Sequence, residues 1–125
     1  MIEKVFSENA PRPIGPYSQA IKGGGFVFAS AQLGIDPSTG ALAQGIEEQA
    51  RLAIRNVGSV LAEARADWGS VVKVSLYLTD MSCFGMVNEI YAAFLGDAAP
   101  ARSTIGVSSL PRGALVAIDA LAFLG

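Results

Sequence analysis

The strongest pattern in the chain lies in residues 46–64, where apolar side chains recur at steps of three and four residues. This spacing is typical of an amphipathic helix that buries one face. Glu47 and Glu48 fall in the first turn, where the helix dipole favours acids, and Glu47 precedes Arg51 by one helical turn. The apolar stripe consists of Ile46, Ala50, Ala53, Ile54, Val57, Val60, Leu61 and Ala64. Such a helix needs a second apolar layer to pack against.

The segment 71–80, VVKVSLYLTD, alternates between two faces and predicts a strand in that layer. One face is wholly apolar and the other is mixed, so we expect the apolar face to pack and the mixed face to point away. The apolar face comprises Val72, Val74, Leu76 and Leu78, and the mixed face comprises Val71, Lys73, Ser75 and Tyr77.

The segments before the first helix predict a hairpin. Residues 11–20, PRPIGPYSQA, begin as a loop rich in Pro and Gly and lead into SQAIK, a short strand candidate. Gly23 to Gly25 turn the chain, and 26–33, FVFASAQL, return as a second strand. Residues 36–40, DPSTG, carry turn residues and predict a loop.

The second half adds a helix and two strands. Residues 84–95 repeat apolar positions at helical spacing, 101–110 predict a strand, PRG turns the chain, and 114–123 predict the last strand. The order is therefore two strands, helix, strand, helix, two strands. This order favours an α+β fold with both helices on one face of a mixed sheet, in a single domain over residues 1–125.

The last strand shows which sheet face stays uncovered. One side carries Val116, Ile118, Ala120 and Ala122, whereas the other carries Leu115, Ala117, Asp119, Leu121 and Phe123. We assign the side without an acid to the helices. The chain is 51% hydrophobic and 16% charged, and a small domain cannot hide that much apolar surface alone. We therefore expect the face with Asp119 to meet other copies of the chain.

Composition excludes several classes of site. The chain has no histidine, so histidine-dependent triads and histidine metal sites are excluded. The single Cys83 forms no internal disulfide, which is consistent with the cytoplasm. Nine basic residues are scattered under a net charge of −2, which makes nucleic acid a poor partner. No signal peptide or membrane span is expected, so no membrane partner is expected either.

Five stretches of the chain stand out together: IGPYSQAI at 14–21, VFASAQLGIDPSTG at 27–40, VNEIYAAF at 87–94, PARSTIGV at 100–107 and LPRG at 110–113. In their sequence, order and spacing they resemble the RidA family, also called YjgF/YER057c/UK114. The resemblance implies a chorismate-mutase-like fold and a homotrimer with a central barrel and ligand sites between subunits. It also implies hydrolysis of enamines and imines to 2-keto acids and ammonium, with no metal or organic cofactor.

Arg102 is the residue to which the resemblance gives the clearest role. In the family, the arginine of the PARS motif binds the substrate carboxylate, and a guanidinium fork matches a carboxylate in two hydrogen bonds. The structural alternative is an arginine paired with an acid at a subunit boundary. The surrounding motif favours a catalytic and substrate-binding role for Arg102, with a small carboxylate-bearing molecule as the substrate.

The resemblance implies further site residues. Tyr17 matches a catalytic tyrosine that closes the cleft from a neighbouring subunit, Ser30 a serine that lines the site, and Asn88 an asparagine on the second helix. Thr104 falls where many members have a cysteine whose backbone amide holds the ligand. Their structural alternatives are a packed aromatic for Tyr17 and solvent-facing positions for Ser30 and Asn88.

The sequence departs from the family at Ala117. The best-studied deaminases of the family have there a glutamate that orients the attacking water, in a strand that reads roughly IEIEA, whereas this chain has VAIDA. A positioned acid or base contributes about 10²–10⁴-fold to such reactions. Asp119 lies roughly 6–7 Å further along the strand, too far to substitute directly. Ala117 also adds volume to the substrate site.

Two hypotheses follow from this departure. The first is an enamine or imine deaminase with altered specificity, supported by Tyr17, Ser30 and Asn88. The second is a protein that binds keto acids or amino acids and has lost efficient hydrolysis, supported by Ala117. Ribonuclease activity is a distant third, because the chain is acidic and lacks histidine. Cys83 has no visible activator as a nucleophile and is expected to be a small apolar or loop residue.

Overall fold

The computed structural model describes all 125 residues, which form two helices and one mixed sheet of six strands. In chain order the elements are β1 (Glu3–Val5), β2 (Ala20–Gly23), β3 (Phe26–Leu33), α1 (Gly45–Glu63), β4 (Val71–Leu78), α2 (Phe84–Leu95), β5 (Ala101–Gly106) and β6 (Val116–Phe123). Short 3-10 turns lie at Trp68–Ser70, Met81–Cys83, Gly96–Ala98 and Pro111–Gly113. Neither helix has the length and apolarity that a membrane crossing demands.

The strands lie in the order β1-β2-β3-β6-β4-β5. Every neighbouring pair is antiparallel except β4 and β5, which run parallel. Parallel neighbours need a crossover, and α2 supplies it. The predicted β2–β3 hairpin is confirmed, and its turn depends on Gly24 and Gly25, whose positive φ angles of 60° and 85° suit glycine.

Both helices pack on one face of the sheet, as predicted. A core of 25 buried apolar residues lies between the two layers. The predicted stripe of α1 is buried there apart from Ile46, which packs at the edge. On β6 the four residues assigned to the helices are all buried: Val116, Ile118, Ala120 and Ala122. The chain therefore has the α+β architecture predicted from the sequence pattern, and this architecture is the chorismate-mutase-like fold that the family resemblance implies.

The other face of the sheet has no helix over it. It presents Phe28 and Phe123, which are 49% and 45% exposed. The Phe26 ring lies between them, with its centroid 6.0 Å from that of Phe28 and 4.8 Å from that of Phe123. Asp119 is half-buried on this face, where the sequence placed it. We call this surface the open face.

The predicted pattern of β4 is wrong at its first two residues. Val71 is 5% exposed and Val72 is 45% exposed, the reverse of the expectation. The register with β6 shifts between Val71 and Lys73 because a bulge at Val72 inserts one residue. A bulge reverses the face of the residues before it, and strict alternation in the sequence does not reveal it.

Other differences concern the ends of elements. The strand predicted over 101–110 ends at Gly106, because β4 ends at Leu78 and offers only its carbonyl to Val107 N at 2.9 Å. The last strand begins at Val116 rather than 114, and β2 begins at Ala20. The three-residue β1 was not predicted.

Candidate functional site

Arg102 lies on outer strand β5 and points toward α2. Its Nη1 donates to Oδ1 of Asn88 at 2.7 Å. Its Cζ lies 4.7 Å from the centroid of the Tyr91 ring and 5.4 Å from that of Phe84. One turn of α2 separates Phe84 from Asn88, so one helix face supplies all three contacts. The guanidinium is therefore held in a fixed orientation by neutral groups.

The charge of Arg102 is not neutralised within the chain. The three ion pairs of the molecule involve Arg12 with Glu8 and Arg51 with Glu47 and Glu48, and none involves Arg102. Burial raises the pKa of Tyr91, and the positive charge of Arg102 opposes that shift. A half-buried guanidinium that has aromatic and amide neighbours and no acid is suited to binding an anion from outside the chain.

Thr104 lies two residues after Arg102 and shares its sheet face. It is half-buried and in register with Leu76 of β4. Because β5 is the last strand of the sheet, one of its edges has no strand beside it. The structure thus places Arg102, Asn88 and Thr104 together at this edge, which we call the arginine edge.

A separate cavity of about 560 Å³ opens on the other side of the molecule. Tyr17 and Ala117, two of the residues selected from the sequence, line it together with Tyr77. The lining surface is mostly apolar and comes from four parts of the chain. These are the loop before β2 (Pro11, Arg12, Ile14 and Tyr17), the end of β3 with the loop after it (Ala31 to Leu33, Ile35 to Pro37 and Gly40), Tyr77 of β4, and the segment that leads into β6 (Leu110 to Arg112 and Ala117). We call it the Ala117 cavity.

Gln19 fixes the loop that carries Tyr17. Its side chain is buried and accepts from Ser7 N at 2.6 Å. Its Nε2 donates to the carbonyl oxygens of Ser7 at 3.1 Å and Pro11 at 2.9 Å. These bonds satisfy backbone groups that have no partner in a sheet or helix, and they hold the Pro-rich loop in one conformation.

Two buried amides of α1 fix the opposite wall. Asn56 Nδ2 donates to the carbonyl oxygens of Leu33 at 3.1 Å and Ile35 at 2.8 Å. Gln49 accepts from Leu115 N at 2.8 Å. The helix approaches the chain so closely at Gly34 that an added Cβ would lie 2.5 Å from the Gln49 backbone. The cavity is thus supported by rigid elements on both sides.

The rim of the Ala117 cavity carries charged groups. Arg112 Nη1 donates to the carbonyl oxygen of Gly40 at 3.0 Å and so joins two loops across the rim. Asp36 accepts from Ser38 N at 2.8 Å and from Ser38 Oγ at 2.7 Å, and these bonds lower the pKa of Asp36. Both residues lie at the entrance, whereas the floor at Leu33 and Ala117 is apolar.

Ser30 and Cys83 belong to neither the arginine edge nor the Ala117 cavity. Ser30 Oγ donates to the carbonyl oxygen of Ser18 at 2.7 Å, so its hydroxyl joins β3 to the loop before β2. Its neighbour Ala31 lines the cavity, but Ser30 does not. Cys83 is a free, half-buried residue immediately before α2.

The arginine edge and the Ala117 cavity lie on opposite faces of the sheet. Arg102 is in register with Val74, which is buried under the helices. Ala117 is in register with Tyr77, on the open face. Since register partners share a face, one chain cannot bring Arg102 and Ala117 to one ligand.

Several residues that line or support the Ala117 cavity were not identified from the sequence. Tyr77 was assigned to the mixed face without a role, and Gln19, Gln49 and Asn56 were not selected. A polar side chain inside an otherwise apolar helical stripe, such as Asn56, is a signal for a buried hydrogen bond. No sequence signal identifies its partners, which lie 21 and 23 residues away along the chain.

Comparison with known proteins agrees with the fold. A family model described as Endoribonuclease L-PSP matches residues 7–124. A RutC family protein of Pyrococcus horikoshii is 46% identical over 98% of this chain and 98% of its own length. A 2-iminobutanoate/2-iminopropanoate deaminase of Mus musculus is 44% identical over 100% of this chain and 94% of its own.

Solved structures give the same result. The crystal structure of E. coli TdcF with bound serine has a TM-score of 0.95 and 32% identity, and it covers 98% of this chain and 99% of its own. RidA from an Antarctic Psychrobacter has a TM-score of 0.94 and 36% identity, with 97% and 98% covered. Sequence and fold agree along nearly the whole chain, and the chain therefore belongs to the YjgF/RidA family.

Proposed function

We propose that the chain forms a homotrimer that hydrolyses 2-imino acids and their enamine tautomers to 2-keto acids and ammonium. Each site combines the arginine edge of one copy with the Ala117 cavity of another. The observation that carries this proposal is that Arg102 and Ala117 lie on opposite sheet faces, with Arg102 free of any acid. A site that uses both residues needs two copies of the chain.

The geometry of Arg102 supports binding of a carboxylate. Asn88 accepts from one nitrogen of the fork, and the guanidinium carbon lies over the rings of Tyr91 and Phe84. The other nitrogens have no acidic partner in the chain and can donate to both oxygens of a carboxylate. The crystal structure of the relative TdcF contains bound serine, a small molecule with such a group.

The open face supports the homotrimer. Three large apolar side chains are exposed on it: Phe28 at 49%, Phe123 at 45% and Ile105 at 39%. The chain is 51% hydrophobic, and a single copy leaves this apolar surface uncovered. Three copies that place their open faces around a central barrel would bury these side chains. Light scattering at micromolar concentration should give a mass near three times 12.9 kDa. A mass of one chain would overturn the proposal of a shared site.

The proposed hydrolysis needs few catalytic groups from the protein. A protonated imine carbon is already electrophilic, so hydrolysis needs a positioned water and proton transfer, and we propose that no metal or organic cofactor takes part. The deaminase names of the mouse and rat relatives support this reaction class. Because Ala117 is small and the cavity is largely apolar, we propose that the enzyme accepts side chains larger than those of the smallest imino acids.

Ala117 also favours a second candidate function. Without a glutamate there, the protein would bind keto acids or amino acids through Arg102 and hydrolyse imines weakly or not at all. The family description names an endoribonuclease, but nine scattered basic residues and a net charge of −2 favour a small carboxylate ligand over RNA. We propose the cytoplasm as its location, on the grounds of its single, unpaired cysteine.

A coupled assay separates the two candidates. An amino-acid oxidase generates a panel of 2-imino acids, and the release of keto acid is timed with and without the protein. A deaminase accelerates release for at least one imino acid, and Arg102→Ala removes the acceleration. The matched control is Arg55→Ala, on the exposed surface of α1. If neither the wild type nor Arg102→Ala accelerates release, and the wild type still binds keto acid, the result supports the second candidate function, a binding protein.

A further inference from the structure

Tyr77 and Asp119 form a hydrogen-bonded pair on the open face. Tyr77 Oη donates to Asp119 Oδ2 at 2.9 Å, and Ser75 N donates to Asp119 Oδ1 at 3.2 Å. Both side chains are half-buried. The backbone bond and the phenol bond together fix the carboxylate in one orientation.

The pair lies directly beside the position of the missing glutamate. Tyr77 is the register partner of Ala117 and lines the same cavity. Asp119 follows Ala117 by two residues on the same face of β6, opposite Ser75. Asp119 does not line the cavity itself, so Tyr77 connects its carboxylate to the cavity.

We propose that Tyr77 and Asp119 replace the missing glutamate as the group that activates the attacking water. This inference rests on the proposed function. Tyr77 is the catalytic residue, because its oxygen accepts a hydrogen bond from the water. Asp119 is a positioning residue that acts through Tyr77 and receives the proton. The sequence alone hides this arrangement, because the two residues lie 42 positions apart.

The reaction balances with water as the only co-reactant. The substrate enters as the protonated imine, the water oxygen bonds to its carbon, and the π electron pair of the C=N bond moves to nitrogen, which becomes a neutral amino group. The proton lost by the water moves to Tyr77 Oη as the phenol proton moves to Asp119. The proton then returns through Tyr77 to the amino group. Cleavage of the C–N bond and loss of the hydroxyl proton to the leaving nitrogen give the keto acid and ammonium.

The electrostatics of the pair suit this role. The hydrogen bond to Asp119, with burial as a smaller cause, raises the pKa of Tyr77 above 10.0. The phenol therefore keeps its proton at neutral pH, directs it toward Asp119, and leaves its oxygen lone pairs free to accept from water. Lys73 is the only charged residue of β4, lies on this face, and donates to Ser103 Oγ of β5 at 2.7 Å.

Tyr77→Phe tests the proposal, because it removes one oxygen and keeps the ring. We expect kcat for keto-acid release to fall about 100-fold with KM changed less than about twofold. Asp119→Asn gives the independent measurement, with a kcat loss of at least about tenfold. The matched control is Ser103→Ala, which removes a hydroxyl from the same face outside the cavity and should keep the wild-type rate.

A rescue experiment distinguishes catalysis from a structural role. Ala117→Glu added to Tyr77→Phe supplies a carboxylate at the cavity floor and should recover at least about tenfold in kcat. Kinetics are compared at equal concentrations of folded protein. If the wild type is active and the kcat of Tyr77→Phe lies within about twofold of the wild-type kcat, this inference alone is overturned. A wild type inactive on every imino acid overturns the proposed function and this inference together.

Discussion

Asn88 Oδ1 accepts a hydrogen bond from Arg102 Nη1 at 2.7 Å across the contact between α2 and β5. The bond joins two residues 14 positions apart that the sequence had selected separately. It leaves the guanidinium without an acid inside the chain, since no ion pair of the molecule involves Arg102. A fixed and unneutralised fork at the edge of the sheet is the basis of the first two predictions.

Arg102→Ala should remove the carboxylate anchor and leave the fold intact. Loss of a charge-assisted hydrogen bond costs about 2–3 kcal/mol, or roughly 30- to 150-fold in Kd. Arg102→Lys should recover only part of the loss, because an ammonium does not reproduce the planar fork. Calorimetric titration with pyruvate measures Kd, and Arg55→Ala is the control. Equal pyruvate affinity in Arg102→Ala and wild type would place the anchor elsewhere.

Asn88 variants test whether the orientation of Arg102 matters. Asn88→Ala removes the hydrogen bond that orients Arg102 and should weaken pyruvate binding about threefold to tenfold. Asn88→Asp should weaken it further, because the new carboxylate pairs with the guanidinium and occupies the position of the ligand. The same titration gives both values. Tighter pyruvate binding by Asn88→Asp than by Asn88→Ala would contradict this role of the amide.

The fold was predictable because its determinants are local in the sequence. The helical stripe of α1 and the two faces of β6 each follow from residue spacing, and both were confirmed. The bulge at Val72 was not predictable, because it depends on which residue of β6 each residue of β4 meets. The three-residue β1 is too short to show a period.

The site was predictable only in part. Arg102 and Asn88 were both selected, but their hydrogen bond depends on the packing of α2 against β5. The Tyr77–Asp119 bond depends on strand order, since β6 lies between β3 and β4 rather than beside β5. Likewise, the position of Arg102 and Ala117 on opposite faces follows from register across three strands, which spacing within one strand does not determine.

Ala117→Glu should restore a water-orienting carboxylate to the cavity. We expect keto-acid release from the imine of alanine to rise about tenfold or more, and release from bulkier imino acids to fall as space is lost. Ala117→Gln has nearly the same size without the charge and should not raise the rate. Rates on both substrates are compared at equal concentrations of folded protein. An increase with Gln equal to that with Glu would show that the charge is not responsible.

The Tyr77–Asp119 bond predicts a change in stability at high pH. The pKa of Tyr77 is raised in the folded chain, chiefly by the bond to Asp119. Stabilisation from this bond is therefore fully present below the unfolded pKa of 10.0 and is lost as pH rises through the folded pKa. The ultraviolet absorbance of tyrosinate follows the titration, and the absorbance step that is lost in Tyr77→Phe belongs to Tyr77. Asp119→Asn should move that step to lower pH, and an unmoved step would contradict the assignment.

Mixed trimers test whether one imino-acid site is built from two copies of the chain. Arg102→Ala disables the arginine edge, and Tyr17→Ala disables the exposed wall of the Ala117 cavity. Each variant alone should release keto acid slowly. Unfolding the two together in equal amounts and refolding them should restore about a quarter of the wild-type rate, because that share of interfaces pairs two intact halves. The same variants mixed without refolding are the control. A refolded mixture no faster than this control would contradict a site shared between copies.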